Sequence, residues 1–408
     1  MYVYIHKHVF GTSQHLRVTD AGEEYSWVNS IPENVWVFSR NEESYTRSVN
    51  VIMKLLEIDP PALENDAQAM AFRQLCGDDI INIPWYYVLS KKVFSQWCKN
   101  IVQGVCDALE TFRRERYGET FIEGRALLRN LSRATVSETR LKRYLREEIN
   151  PTNRKTLLSF MPDHAGFANQ PVYDQLSTST GRLILKTGPQ VLTLPKKYRN
   201  LIGSRYEGGA VCQVDFVSLE PRVARVISGY PVGRDVYSSI SDIIFKDQLT
   251  RDETKLAVLC ALYGVSSTRL KNMLDDKADA VSVIRKIKEY FGTSELLKNM
   301  SSQISERGYV ENLYGRKLNV QNESRHVWIS HFIQSTATDA ALIGFHRLIN
   351  KIEKNELRVH GIFVIHDAIL LDAHPDDEAS LHELVREGID LDEMGIFPLS
   401  MDIISRAQ

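Results

Sequence analysis

Two aspartates stand at the ends of strongly apolar segments. Asp215 closes Ala-Val-Cys-Gln-Val-Asp-Phe, and Asp367 sits within Ile-Phe-Val-Ile-His-Asp-Ala-Ile-Leu-Leu. A carboxylate flanked by buried residues carries a desolvation cost that a cation or a hydrogen-bond donor must offset. Singly, either one could be a turn or capping residue. Two converging would suit divalent cations, because Mg²⁺ takes one or two carboxylates together with substrate phosphates.

Between them lies Arg251-Asp-Glu-Thr-Lys255-Leu-Ala-Val-Leu259-Cys-Ala-Leu-Tyr263-Gly264. Thr250, followed three residues later by Glu253, predicts a capped helix start. Arg251, Lys255, Leu259 and Tyr263 then recur every four residues along one helix face, successive members about 6 Å apart. The stripe reads cation, cation, apolar, aromatic. A nucleoside triphosphate laid along it would set its phosphates on Arg251 and Lys255 and its base near Leu259 and Tyr263. An amphipathic helix with its cations in water has the same spacing, so spacing alone leaves both readings open.

The elements that must position these residues follow from periodicity. Residues 2–6, 24–28 and 35–39 read as short strands. Beyond Pro60-Pro61, apolar residues at three- and four-residue spacing predict helices over 93–114 and 123–148. Joined near Tyr117-Gly118, they would make an αα-hairpin with an arginine-rich face. A strand ends at Phe216, and residues 235–306 read almost wholly as helix. Residues 309–320 suggest a hairpin turning at Tyr314-Gly315, 327–351 a helix, and 358–372 two strands around a polar turn. No repeat or low-complexity linker interrupts the chain, so the elements are expected to form one interdependent unit.

Composition narrows the class. The chain has 408 residues, 50 Lys+Arg against 52 Asp+Glu, 43% hydrophobic and 25% charged residues. These values exclude wholesale disorder and a fibrous repeat, and the length favours roughly two to four subdomains. No apolar run reaches the roughly 20 residues that span a bilayer, and the first ten residues lack a signal-peptide stretch. A cytoplasmic location is expected. Five cysteines, odd in number and without a CxxC pair, read as free thiols. Residues 111–156 carry 12 Arg/Lys against 6 Glu, whereas 367–408 carry 11 Asp/Glu against 2 Arg. One arm suited to a polyanion and another that collects cations would show this asymmetry; so would two solvated faces.

At this point the sequence resembles the polymerase domain of family-A, polymerase-I-like DNA polymerases. Asp215-Phe-Val-Ser-Leu-Glu220-Pro-Arg222 is similar to the family's first signature, and Arg251, Lys255, Tyr263 and Gly264 match its Arg-x3-Lys-x7-Tyr-Gly helix. Ile365-His366-Asp367-Ala368 resembles its Val-His-Asp-Glu. Ser179-Thr180-Gly181-Arg182-Leu183 looks like its Thr-Gly-Arg-Leu segment, and Gln334-Ser335-Thr336-Ala337-Thr338-Asp339 its Gln-Gly-Thr-Ala-Ala-Asp helix. Five motifs in the family's order are a specific signal.

The resemblance implies an α+β right hand: an antiparallel palm sheet with helical fingers and thumb. Its expected parts are an N-terminal β-containing segment (1–58), a thumb-like region (59–156), the first part of the palm (157–235), fingers (236–310) and the second part of the palm (311–408). It implies two Mg²⁺ ions, replaceable by Mn²⁺, held by Asp215, Asp367 and the Phe216 carbonyl. Arg251 and Lys255 would meet the dNTP triphosphate, with Leu259, Tyr263, Glu220 and Tyr237 around the nucleotide. Arg182, Gln334 and His366 would read the minor groove at the primer terminus, where every correct pair offers acceptors; Arg222 is placed with the nucleic-acid contacts. Implied partners are primer-template DNA, dNTPs and replication accessory proteins, the chain acting as a monomer of phage or viral origin. A proofreading domain is not expected: it needs on the order of 150 residues and an Asp-x-Glu site, which the first 60 or so residues lack.

Four departures from the family pattern stand out. Ala368 replaces the Glu after the third-motif Asp, and Leu259 an aromatic residue. Tyr237 replaces a His near the triphosphate, and Ser330 an Asn that assists minor-groove contact. The first two also suit a single-subunit RNA polymerase, whereas Glu220 and the Thr-Gly-Arg-Leu and Gln-x-Thr-Ala motifs favour DNA synthesis. An inactive nucleic-acid-binding protein on the same fold is the third reading; the persistence of both aspartates and the cationic helix counts against it.

Overall fold

The computed structural model describes residues 2–10, 12–19, 24–32, 36–38, 58, 67, 71, 85–229, 235–246, 248–275 and 278–407. They fall into two units, Met1–Gly118 and Glu119–Gln408, where the lack of a linker had suggested one. Cys76 and most of 59–84 lie outside the described residues; Cys98, Cys106, Cys212 and Cys260 are buried thiols outside any disulfide.

In the first unit, β1 (Tyr2–Ile5), β2 (His15–Thr19), β3 (Tyr25–Val28) and β4 (Trp36–Phe38) form a sheet of order β3-β2-β1-β4. Only the β1–β4 pair is parallel. Helix α1 (Lys91–Arg114) starts at Ser90, whose side chain accepts from the Val93 N–H. Its Phe94, Trp97, Ile101, Val102 and Val105 recur at helical spacing and share one apolar cluster with Val3, Ile5, Leu16 and Val18. Helix α2 (Arg116–Arg129) follows after Glu115 alone, which is extended at ψ 132°. The joint therefore precedes Tyr117-Gly118, and Gly118 is helical.

In the second unit the helix expected over 123–148 is interrupted. After α2 the chain turns extended: the Ser132 N–H donates to the Gly361 carbonyl, and Thr135–Val136 pairs with Ile202–Gly203. Ser132, Thr135 and Ser137 offer side-chain oxygens that compete with helical backbone bonding, and Ser137 caps the next helix, α3 (Glu138–Glu147). Helix α4 (Pro151–Leu158) carries Pro151 in its first turn, with Asn150 as N-cap.

The central sheet is wholly antiparallel. Its strands are β5 (Ala210–Phe216), β6 (Val359–Ile365), β7 (Ala368–Ala373) and β8 (Leu399–Arg406), in the order β6-β7-β5-β8. Every residue of β7 is buried. In β5 only Gln213 and Asp215 are not, and alternation sets them on one face. The stretch after β5 holds α5 (Leu219–Ile227), α6 (Val236–Ile240), α7 (Arg251–Leu262), α8 (Ser267–Met273), α9 (Ala280–Tyr290) and α10 (Thr293–Arg307). The long helix α11 (Arg325–Lys354) buries Ile333, Ala337, Ala341, Phe345 and Leu348. A Cβ on Gly344 of α11 would stand 2.5 Å from the Phe216 ring, so only glycine lets that ring seat here. Among the described residues no helix is long and apolar enough to cross a membrane.

One buried ion pair ties a hairpin to α11. Arg316 donates from Nε and Nη2 to the two carboxylate oxygens of Asp339 at 3.0 and 2.7 Å, and Asn312 Nδ2 donates to the same carboxylate. Asp339 is 1% exposed and Arg316 6%. Asp339→Ala should therefore cost about 3–5 kcal/mol in urea unfolding, because it strands a buried guanidinium. Asp392→Ala, which breaks the exposed Arg347–Asp392 pair, should cost about 0–1 kcal/mol.

Candidate active site

Strand register brings the two aspartates together. Asp215 lies opposite Ala368 of β7 and Ser400 of β8, and the Phe216 N–H donates to the Asp367 carbonyl at 3.1 Å. The turn between β6 and β7 is His366-Asp367, with His366 left-handed at φ 56°. Asp367 thus emerges beside the C-terminal end of β5. Burial raises the Asp215 pKa, the Gln213 hydrogen bond opposes that, and the charge of Asp367 adds to it.

The donor set fits a divalent cation. Two carboxylates share the end of one sheet, and their mutual repulsion and the burial of Asp215 both favour a positive charge between them. Among the described residues no group of three or more His, Cys, Asp or Glu could enclose a metal. A pair of carboxylates without a full cage is what Mg²⁺ uses when phosphates and water supply its remaining ligands.

A cleft of about 550 Å³ opens over the aspartates. Its walls bring together stretches far apart in the chain: Arg182, Asp215 to Glu220, Tyr237, Arg251, Lys255 and Leu259 of α7, Gln334 of α11, and His366-Asp367. The capping box expected at Thr250 and Glu253 is present in both directions. Gly181, at φ 74°, sets Arg182 at the cleft; a Cβ there would lie 2.3 Å from the Arg316 guanidinium carbon.

Two expected contacts, Tyr263 and Arg222, are placed differently, and so is the departure Ser330. Tyr263 ends α7 as its C-cap and does not line the cleft. Arg222 is 4% exposed and donates from Nε to the Val217 carbonyl, so it braces the β5–α5 turn from inside and offers no edge to a phosphate. Ser330 is buried and donates back to Val327 of its own helix. Spacing gave Tyr263 the right helix but could not show that the helix ends there.

Both arginines of the cleft are paired with carboxylates. Arg182 Nη2 donates to Glu220 Oε1 at 3.1 Å, and Glu220 is pushed up by burial against the pull of Arg182. Arg251 Nε donates to Asp235 Oδ2 at 2.7 Å, while its guanidinium lies 5.5 Å from the Tyr237 ring centre. Tyr237 is 4% exposed; burial pushes its phenol up to about 12, against a hydrogen bond with Ser218. Lys255 is exposed on the same helix face as Arg251. Sequence reasoning missed Ser218, left-handed at φ 55°, and Thr338 and Ser400 in the cleft wall. It also missed Gln213, whose amide donates to Asp215 Oδ2 at 2.7 Å. A lone polar residue inside an apolar strand was the available signal.

The central antiparallel sheet thus bears two aspartates at one end, and the cationic helix α7 lines the cleft they share. The same fold is found in the polymerase domain of Pol1 from M. smegmatis, solved with DNA primer-template and dNTP, at a TM-score of 0.61 and 13% identity over 98% of this chain and 94% of that one. The family model of DNA polymerase family A matches residues 103–403, and the chain belongs to that family. DNA polymerase I of Caldicellulosiruptor bescii is 24% identical over 272 residues, 59% of this chain and 30% of that protein. DNA polymerase I of Bacillus caldotenax is 22% identical over 262 residues, 57% of this chain and again 30% of the relative. The matched region thus spans about a third of the length of these curated relatives.

Proposed function

We propose that this chain extends a DNA primer 3′ end with dNTPs under template direction, in the cleft between the Asp215–Asp367 pair and α7. The observation that carries this reading is the convergence of Arg182, Asp215, Glu220, Lys255, Gln334 and Asp367 on one cleft. In the proposed reaction the primer 3′-oxygen attacks the α-phosphorus, its proton leaves, and pyrophosphate departs. Asp215, Asp367 and the Phe216 carbonyl would hold two Mg²⁺ ions; when bound, these acidify the 3′-hydroxyl and neutralise the triphosphate. Arg251 and Lys255 bind the phosphates and oppose charge developing on the leaving group. Arg251 first has to exchange Asp235 for phosphate oxygens. Tyr237, a neutral phenol, donates without adding charge.

Arg182, Gln334 and His366 face the primer-terminal pair and test its shape through minor-groove acceptors. Helices within 59–156 act as the thumb and those within 236–310 as fingers, with thumb arginines gripping backbone phosphates in a salt-sensitive way. Arg251→Ala and Lys255→Ala should each lower kcat/KM for dNTPs about a hundredfold, the scale for removing a donor aimed at transition-state charge. Steady-state primer extension measures this; unchanged values in both variants would leave α7 a solvated amphipathic helix.

A further inference from the structure

We propose that Gln213, held by Arg199, is the positioning residue for the Asp215 carboxylate and sets how well that carboxylate takes a divalent cation. The inference rests on the reading of Asp215 as a cation ligand given above. Strand alternation puts Gln213 and Asp215 on the same face of β5, and the Gln213 amide donates to Asp215 Oδ2 at 2.7 Å. A glutamine amide has an acceptor and a donor end. Arg199 Nη1 donates to Gln213 Oε1 at 2.6 Å, so the oxygen faces Arg199 and the NH₂ faces Asp215. Arginine is a donor only, so this relay can run in one direction only.

The arrangement orients Asp215 without neutralising it. Had Arg199 met Asp215 directly, its charge would have competed with the cation for the same carboxylate. The neutral amide passes on the orientation and keeps the positive charge one side chain away. Asp402 of β8 and Leu370 of β7 stand opposite Gln213, and Ser400 and Ala368 opposite Asp215, so the strands paired with β5 offer Asp215 no other side-chain amide there. Outer partners of metal ligands typically contribute ten- to a hundredfold in affinity or activity.

The test uses Mn²⁺ as the probe, with free Mn²⁺ followed by electron paramagnetic resonance in the protein–primer–template complex. Gln213→Met keeps the length and loses the amide. It should weaken Mn²⁺ binding and lower kcat by about ten- to a hundredfold, with dNTP KM, primer-template Kd and melting temperature little changed. Gln213→Asn, too short to reach both partners, should behave alike, which covers the case in which the Met variant folds poorly. Arg199→Met should give a smaller loss, and adding it to Gln213→Met should cost nothing further, since one chain of contacts is already broken. Wild-type Mn²⁺ binding in both Gln213 variants, or fully additive losses, would overturn the relay. Asp215→Asn separates the two levels. If it loses Mn²⁺ while the Gln213 variants keep it, the relay alone fails; if it too binds like wild type, the cation reading fails.

Discussion

Asp215→Asn and Asp367→Asn are each expected to slow nucleotide incorporation by about three powers of ten or more while leaving primer-template affinity within about threefold. Each change removes a negative charge from the end of the central sheet, where Phe216 N–H and the Asp367 carbonyl hold the two residues side by side. A cation worth several kcal/mol to the transition state corresponds to that loss at 1.36 kcal/mol per decade. The DNA grip is expected to be spared because it comes from cations spread over other elements. Rapid-quench extension paired with a DNA-binding titration separates the two quantities. Near-normal incorporation in either variant would remove these aspartates from the chemistry.

Glu220→Ala is expected to narrow the preference for dNTPs over rNTPs by about one to two powers of ten in kcat/KM. Glu220 lines the cleft, its side chain is 23% exposed, and Arg182 fixes it at 3.1 Å. A 2′-hydroxyl arriving at this carboxylate would clash with it or displace it from its partner, a cost built against the wrong sugar. Losing a charged hydrogen bond is worth roughly 1.5–3 kcal/mol. Because the partner is Arg182, Arg182→Ala should also loosen sugar discrimination, along with its effect at the primer terminus. Unchanged sugar preference in Glu220→Ala would make the Glu220–Arg182 pair structural.

Much of the site was legible because its residues obey local rules. Asp215 and Asp367 follow apolar strands, and the Thr250–Glu253 capping box sets the phase of the stripe that carries Arg251, Lys255 and Leu259 into the cleft. What failed depended on tertiary context. Arg222 shares the motif of Glu220, but helix rotation turns it inward to Val217. The break at 130–137 arises from pairing with Ile202–Gly203, far along the chain, which no helical periodicity can announce. The relay from Arg199 to Gln213 also depends on where two distant segments meet.

The measurement that bears most directly on this reading is primer extension by the purified protein, on DNA and RNA templates, with dNTPs or rNTPs, with and without chelator. Stepwise, template-matched addition of dNTPs to a DNA primer, abolished by chelation and by Asp215→Asn, is the expected result. Chain initiation without a primer and a preference for rNTPs, or no extension by the wild-type protein, would contradict it.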